Sequence, residues 1–312
     1  MHTVIDRAQL SPNVTRLVIE APRIAEIRKP GQFVIVHRAP GAERIPLTIA
    51  DADPDRGTIT LVIQAVGKST EDLVALQPGD AIADVAGPLG KATDLIDHGR
   101  AVCVGGGVGT AVVYPIALGL AARGVEVISV IGGRSKEWVI FEDELRRAGE
   151  VITCTDDGSY GRPGFVTDAL RDVIEAGGVD AVYAVGPVPM MRAVAEVTRP
   201  YGVPTFASLN AIMLDGTGMC GGCRVAVGGK TLYACVDGPE FDAHQVDFRQ
   251  LADRLGTYRD FEAHATELAH RRRAAAQEEA PLHAPEGSCL IPGLAATAER
   301  QEAAAAAGDR RE

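Results

Sequence analysis

Apolar residues in the first hundred positions come in short runs and not in long helical periods. Residues 14–20, 33–37 and 58–66 are rich in Val, Ile and Thr, the side chains that suit a pleated, half-buried surface. Gly and Pro break the runs at Pro30-Gly31, Gly57, Pro78-Gly79 and Gly87-Pro88. A helical turn or two is predicted only at 69–76. Several short strands separated by turns predict a small antiparallel barrel. The pattern changes at Arg100. Buried strands are predicted at 101–104, 125–131, 151–154, 181–185 and 205–209, with helices at 110–123, 165–175 and 189–197 between them. Strands alternating with helices imply βαβ units and a doubly wound parallel sheet.

From Asn210 to about Phe248 the chain is rich in glycine and cysteine. That stretch is too short for a conventional core, so a metal is expected to staple it. Beyond Tyr258 it becomes polar and Ala-rich, and His270-Arg-Arg-Arg273 and 303–307 read as a frayed helix and a mobile tail. The expected division is a barrel at 1–97, a nucleotide-binding domain at 98–209, a small metal-stapled domain at 210–258 and a helical or disordered tail at 259–312.

Composition narrows the function. The 312 residues are 46% hydrophobic but only 4% aromatic, so Val, Ile, Leu and Ala must fill the cores. A net charge of −11 argues against a grip on nucleic acid, whose phosphates need a basic surface. The N-terminal Met-His-Thr-Val-Ile-Asp-Arg lacks the pattern of a secretory signal, and the longest apolar stretch, 111–122, contains Pro115 and is too short to span a bilayer. A cytoplasmic protein is expected. Six cysteines are too sparse for a disulfide scaffold, and clustered cysteines in such a chain more often hold metal.

Gly105-Gly106-Gly107-Val108-Gly109 lies between a predicted strand and a predicted helix. A helix N-terminus offers unpaired N–H groups and a positive dipole to a diphosphate, and glycines let the backbone approach it. Read as G-x-G-x-x-G, the third glycine is replaced by Thr110. The alternative is an ordinary tight βα turn. Arg134 follows the next strand, where the adenosine ribose lies in doubly wound folds. It is either an acceptor for a 2′-phosphate or a surface charge, which leaves NAD(H) and NADP(H) both open. Gly186-Pro187 closes a later strand at the ligand-binding edge. In the barrel, Arg44-Ile45-Pro46-Leu47-Thr48 joins a cation, a turn and a hydroxyl, and Gly67-Lys68-Ser69-Thr70 adds a glycine, a cation and two hydroxyls. Both suit a dinucleotide phosphate, although Arg44 and Lys68 taken singly are ordinary surface charges.

Asp215-Gly-Thr-Gly-Met-Cys220-Gly-Gly-Cys223, followed by Cys235, is the most distinctive segment. Plant-type two-iron sites use C-x4-C-x2-C and a distant fourth cysteine. Asp215, Cys220, Cys223 and Cys235 reproduce that spacing with Asp in the first place. A structural zinc, with Asp215 completing its ligands, and a set of free thiols are the alternatives. Zinc usually draws on a second C-x2-C or histidine pair, which this chain lacks.

With these segments in this order, residues 1 to about 258 resemble the ferredoxin reductase superfamily. More narrowly, they resemble the electron-transfer subunits of bacterial dihydroorotate dehydrogenase and the sulfide dehydrogenase-like small subunits of NADH-dependent ferredoxin:NADP oxidoreductase. The resemblance is carried by Arg44–Thr48, 67–70, Gly87-Pro-Leu-Gly90, 105–110, Thr155-Asp-Asp-Gly158, Gly186-Pro187 and Cys235-Val-Asp-Gly-Pro239.

The resemblance implies FAD along Arg44, Pro46, Leu47, Thr48, Gly67, Lys68, Ser69 and Thr70. It implies a pyridine nucleotide at Gly105, Gly106, Gly107, Val108, Gly109 and Thr110, with Asp157 and Gly186 nearby, and a [2Fe–2S] cluster on Cys220, Cys223 and Cys235. Aspartate at 215 is what it implies for the oxidoreductase branch, where the dihydroorotate branch has cysteine. Cys289 is a remote substitute ligand. The implied activity is NAD(P)H-linked electron transfer to a larger flavin and iron–sulfur oxidoreductase subunit in a heteromer, with ferredoxin a further partner. No side chain is assigned as an acid or base catalyst, because the flavin carries the chemistry. The alternatives are a dihydroorotate dehydrogenase electron-transfer subunit and, from another class, a zinc-stabilised nucleotide-binding scaffold.

Overall fold

A computed structural model of the chain describes residues 1–278. Residues 1–264 form one compact unit. Cys289 and residues 303–307 lie outside the described residues.

The N-terminal part contains β1 (His2–Ser11), β2 (Val14–Glu20), α1 (Pro22–Ile27), β3 (Phe33–His37), β4 (Arg44–Asp53), β5 (Thr58–Gln64), α2 (Lys68–Val74), β6 (Ala81–Ile82) and β7 (Asp84–Leu89). Its strands form one antiparallel seven-stranded sheet in the order β6-β1-β2-β5-β4-β3-β7, curled into a nearly closed barrel. Period-two alternation builds its interior: Leu17 and Ile19 on β2 face Ile59, Leu61 and Ile63 on β5, all sealed from solvent. β4 begins at Arg44, where a turn was expected, so Pro46 lies within a strand. Pro46 pairs with Ile35 of β3, whereas β4 pairs with β5 only from Ile49 onward. Pro46 thus sits on the one-sided stretch of β4, where its missing N–H interrupts no second ladder.

The second sheet follows with β8 (Arg100–Gly106), α3 (Gly109–Ala121), β9 (Glu126–Gly133), α4 (Glu142–Leu145), β10 (Glu150–Thr155), β11 (Arg162–Pro163), α5 (Val166–Glu175), β12 (Ala181–Val185), α6 (Val188–Thr198) and β13 (Thr205–Ser208). The order is β11-β10-β9-β8-β12-β13, parallel throughout. The walk across the sheet reverses between β8 and β12, which is its topological switch point.

The last part contains the hairpin β14 (Arg224–Val227) and β15 (Lys230–Tyr233), then β16 (Glu240–Asp242), α7 (Phe248–Leu255) and α8 (Arg259–Glu278). β16 adds an antiparallel edge to the second sheet beside β13. Residues 210–248 were expected to lack a conventional core. Instead, Val225, Ala234, Phe241 and Phe248 share one apolar core with Phe33 and Ile35 of the barrel and Met191 and Leu209 of the second sheet. α8 runs as a helix where the sequence suggested a frayed one, with Arg271 and Glu267 paired at 2.6 Å one turn apart.

β3 explains the joint core. All of Phe33, Val34, Ile35 and Val36 are buried, because Val34 and Val36 fill the barrel while Phe33 and Ile35 face outward into the shared core. Phe33→Ala should therefore cost about 3–5 kcal/mol, read as a lower denaturation midpoint at unchanged slope.

Candidate functional site

In the barrel, the two predicted phosphate segments come together. Ser69 donates a hydrogen bond to Glu43, which ties the start of α2 to the residue before Arg44. Thr70 Oγ1 accepts the N–H groups of Val66 at 3.0 Å and Gly67 at 3.1 Å, so that hydroxyl holds the Gly67 turn. Lys68 pairs with Asp72 at 3.6 Å. Arg44 is exposed and only 4.0 Å from Asp84 of β7. Such an open pair is weak, which leaves the guanidinium able to meet an anionic ligand. Pro46, Leu47 and Thr48 are half-buried along β4.

In the second sheet, every predicted nucleotide position lies at the carboxyl ends of the strands. Gly105 pairs with Val185, and Gly186-Pro187 follows at once, so the loop 105–110 and residues 186–187 flank the switch point. Gly106 and Gly186 lie together, with the Gly106 Cα 3.3 Å from where a Gly186 Cβ would stand. Arg134 and Asp157 are joined by an Asp157 N–H to Arg134 carbonyl bond of 3.1 Å. Both are exposed, and the Asp157 carboxylate accepts the Ser159 N–H at 2.9 Å. Hydrogen bonds from Ser159 hold its pKa below the ordinary range. No side chain caps α3; the Thr110 and Ala111 N–H groups donate to the Gly107 and Val108 carbonyls at 3.1 Å each, so the loop's own backbone closes the first turn.

Thr110 is buried against Gly105 and does not face the loop's outer side. The close helix-to-strand approach that a third glycine would give comes from Gly109: a Cβ there would stand 2.3 Å from the Val185 carbonyl oxygen. A cavity of about 270 Å³ is lined by Lys136, Glu142 and Tyr160, with the Lys136 ammonium over the Tyr160 ring. Lys136 and Tyr160 were not singled out in the sequence, although both follow strand ends that carried predicted ribose-side residues.

The cysteine loop is held by its own backbone. Asp215 accepts the N–H of Thr217 at 2.8 Å and of Cys220 at 2.7 Å. These bonds, the Thr217 one foremost, lower its pKa. Cys223 and Cys235 are buried with their sulfurs 3.1 Å apart. Burial, with the Cys223 contact second, pushes the Cys235 thiol up to about 12. From α7, Arg254 donates to the Gly222 carbonyl at 3.0 Å and clamps the loop beside Cys223. No sequence spacing points to Arg254.

Of these residues, Cys223 and Cys235 bring their sulfurs together, while Asp215 holds the Cys220 backbone and the Cys220 sulfur lies by the Gly222 N–H at 3.4 Å. Among the described residues no three His, Cys, Asp or Glu side chains gather as they would around one metal ion. A two-iron cluster divides its ligands between two irons, so the Cys223–Cys235 sulfur pair, with Cys220 and Asp215 on the adjoining loop, is a donor set of the kind it uses.

The cluster loop also touches the barrel. A Cβ on Gly216 would stand 2.7 Å from Leu89 Cδ1 and 2.8 Å from Ile35 Cγ1, so the loop lies directly on β3 and β7. Ile35 is the cross-strand partner of Pro46. The strand against which the loop rests is therefore one strand spacing, about 5 Å, from the flavin candidates on β4.

Comparisons with known proteins agree with this arrangement. Residues 210–247 match the iron–sulfur cluster binding domain of dihydroorotate dehydrogenase B. Over 262 residues the chain is 42% identical to the dihydroorotate dehydrogenase B (NAD(+)) electron transfer subunit homolog of Thermotoga maritima, covering 84% of this chain and 93% of that one. The chain belongs to the family of dihydroorotate dehydrogenase B electron transfer subunits. A chain in the solved structure of an NADH-dependent reduced ferredoxin-NADP oxidoreductase, studied for flavin-based electron bifurcation, matches at 39% identity and a TM-score of 0.83, covering 88% of this chain and 98% of that one. The ferredoxin reductase of carbazole 1,9a-dioxygenase matches at 19% identity and a TM-score of 0.55, covering 65% of each chain, and shares the fold. The family member described here is thus an oxidoreductase subunit of the flavin and iron–sulfur electron-transfer kind, with a ferredoxin reductase-like fold and an iron–sulfur segment at its C-terminal side.

Gly109→Ala tests the nucleotide loop. The added methyl meets the Val185 backbone, an overpacking cost of about 1–3 kcal/mol. NAD(P)H affinity should fall about tenfold or more in a binding titration, with flavin content unchanged.

Proposed function

We propose that the chain takes electrons from NAD(H) or NADP(H), holds FAD and a [2Fe–2S] cluster, and delivers the electrons to a larger flavin and iron–sulfur oxidoreductase subunit. The observation that carries this reading is the contact of Gly216 with Ile35 and Leu89, one strand from Pro46. It gives a short route between the flavin candidates and the cluster candidates inside one compact unit.

Residues 1–97 form the flavin domain, 98–209 the nucleotide domain and 210–258 the cluster domain. Arg44, Pro46, Leu47 and Thr48 lie along the flavin, and Gly67, Lys68, Ser69 and Thr70 meet its diphosphate side. Gly105, Gly106, Gly107, Val108, Gly109 and Thr110 form the nucleotide loop, with Gly186 and Pro187 across the switch point and Arg134 and Asp157 on the adenosine side. Asp215 and Cys220 serve one iron, Cys223 and Cys235 the other. The chemistry supplied by bound FAD and the cluster is the exchange of a nicotinamide hydride for single electrons. The protein's part is orientation, exclusion of water and backbone N–H groups turned toward the sulfurs.

Among the described residues no helix is long and apolar enough to cross a membrane. Their five cysteines are free thiols, which supports a reducing, cytoplasmic setting. A partner catalytic subunit follows from the kind of subunit this family supplies. Ferredoxin is the further exchange partner we propose, on the likeness to the oxidoreductase whose name contains it.

The 42% identity to the Thermotoga maritima homolog favours a second reading, electron transfer from dihydroorotate to NAD. Asp215 favours the first. Mixing the chain with each candidate large subunit and assaying dihydroorotate:NAD turnover separates them. The main test is anaerobic reduction of purified protein by NAD(P)H: flavin bleaching and a two-iron paramagnetic signal are expected, and protein without iron and flavin would refute the proposal. Asp215→Ala should weaken cluster retention about tenfold or more while FAD stays bound, measured as iron and flavin per chain.

A further inference from the structure

One buried carboxylate takes no part in the site described above. Glu240 opens β16 and pairs across the sheet with Ser208 of β13. Its carboxylate lies against the turn before β3. A Cβ on Gly31 would stand 2.9 Å from Glu240 Oε2, 3.0 Å from Oε1 and 2.0 Å from Thr93 Oγ1. Thr93 is buried in the segment that joins the barrel to the second sheet. Glu240 Oε1 and Thr93 Oγ1 are both sealed from solvent, and neither makes a hydrogen bond of normal length and angle among the described residues, although the Thr93 hydroxyl stands near enough to act on the carboxylate at longer range. Glu240 as a whole keeps part of its surface in water. Buried polar atoms are normally paired, and an exception asks for a reason.

The position is a junction of all three layers. Immediately before Glu240, the Gly238 carbonyl accepts the Lys91 N–H at 2.7 Å and the Pro239 carbonyl accepts the Leu209 N–H at 2.9 Å. Gly31 leads into Phe33, the partner of Thr48 on β4. Cys235 begins the short segment that ends at Glu240. The carboxylate therefore lies against the turn that leads into β3, the neighbour of the strand proposed for the flavin, and in the chain it closes the segment that begins at the proposed cluster ligand Cys235.

We propose that Glu240 is a redox-linked proton site, an inference that rests on the electron-transfer reading above. When one electron from the reduced nicotinamide dinucleotide reaches the cofactors, the Glu240 carboxylate takes one proton from water. When that electron leaves for the partner subunit, the carboxylic acid returns the proton. The net charge of the junction is then the same before and after each electron passes.

The surroundings favour this role. A carboxylate with one oxygen sealed from solvent and unpaired is costly, and an added electron nearby would raise the cost. Burial pushes the Glu240 carboxyl up to about 7, against the hydroxyls of Ser208 and Thr93, which favour the charged form. The groups facing it are Ser208 from β13, Thr93 from the connecting segment and the Gly31 backbone. Lys29, Lys91 and Asp94, the charged residues of those segments, are not among the causes of its shift.

The test compares the full chain, loaded with flavin and iron, with its E240Q variant. Cluster potential is followed by paramagnetic resonance from about pH 6 to about pH 9. The wild-type potential should fall as pH rises through neutrality and then level off, and the variant should show no such slope. An identical slope in both proteins overturns the proposal. Redox-difference infrared spectra of wild type labelled with carbon-13 at glutamate need no variant: a protonated-carboxyl band should appear on reduction, and its absence overturns the proposal. Thr93→Val removes a hydroxyl that favours the charged form, so the bend in the potential curve should move to higher pH.

Thermal unfolding gives a readout that needs no cofactor. The folded proton affinity is above the unfolded one, so the stabilisation is complete below the ordinary glutamate range and is lost as pH rises to about 7. Relative to E240Q, wild type should lose stability across that window, and parallel curves would remove Glu240 as a proton site. Failure of the electron-transfer reading looks different, since neither protein would then carry iron or flavin.

Discussion

The unit depends on the β3–β4 pair being packed from both sides. On one side, Ala50 of β4 enters the core that contains Ala111 and Tyr114 of α3. On the other, Phe33 and Ile35 of β3 enter the core of the C-terminal layer. Inside the barrel, Val34, Val36 and Ile49 complete a third core. Two neighbouring strands thus contribute to three cores. This is why a short βαβ helix and a glycine-rich loop can both be held against one barrel without a large interface of their own. Dense packing of this kind resists displacement, and electron transfer between fixed cofactors needs fixed distances.

Gly216 is where that constraint is tightest. Its φ of +73° is a left-handed conformation, and any side chain would strike Leu89 and Ile35. Glycine therefore does two things there: it turns the cysteine loop, and it lets the loop's backbone rest on the barrel. Gly109 does the equivalent for the nucleotide loop by letting α3 start against the Val185 carbonyl. The family relation to electron transfer subunits agrees with a molecule whose cysteine loop rests on β3 and whose helix α3, which follows the nucleotide loop, packs on β4.

Much of this was legible in the sequence, for physical reasons that differ by region. The strands at Val14–Glu20, Phe33–His37 and Ala181–Val185 have the bounds their apolar runs suggested. Each is bounded by turn residues and is buried along most of its length. β1 was not legible, because His2–Ser11 mixes charged and apolar residues over a mostly half-exposed face. β4 was hidden by Pro46, whose tolerance depends on the partner strand stopping at Ile49, a tertiary fact. β16 is three residues long and gains its identity only from pairing with β13. The cysteine spacing was the clearest signal, since metal coordination fixes distances that sequence must respect, and the family match at 210–247 agrees with it. Arg254 and Glu240 carried no signal, because their roles arise from elements far away in the chain.

The folding role of the aspartate in the cysteine loop is compatible with the ligand role proposed for it. Asp215 already accepts two backbone N–H groups, from Thr217 and Cys220. An ionised carboxylate offers about four lone-pair sites, so those two bonds do not exhaust it. The loop can therefore be preorganised by the carboxylate before any iron arrives, and the remaining lone pairs are still available to a metal. A thiolate is a weaker acceptor of N–H groups and would organise the turn less firmly. An oxygen ligand at this place, as proposed, would thus favour a loop whose shape does not wait for the cluster, while the buried Cys223–Cys235 pair would supply the softer donors that iron–sulfur chemistry requires.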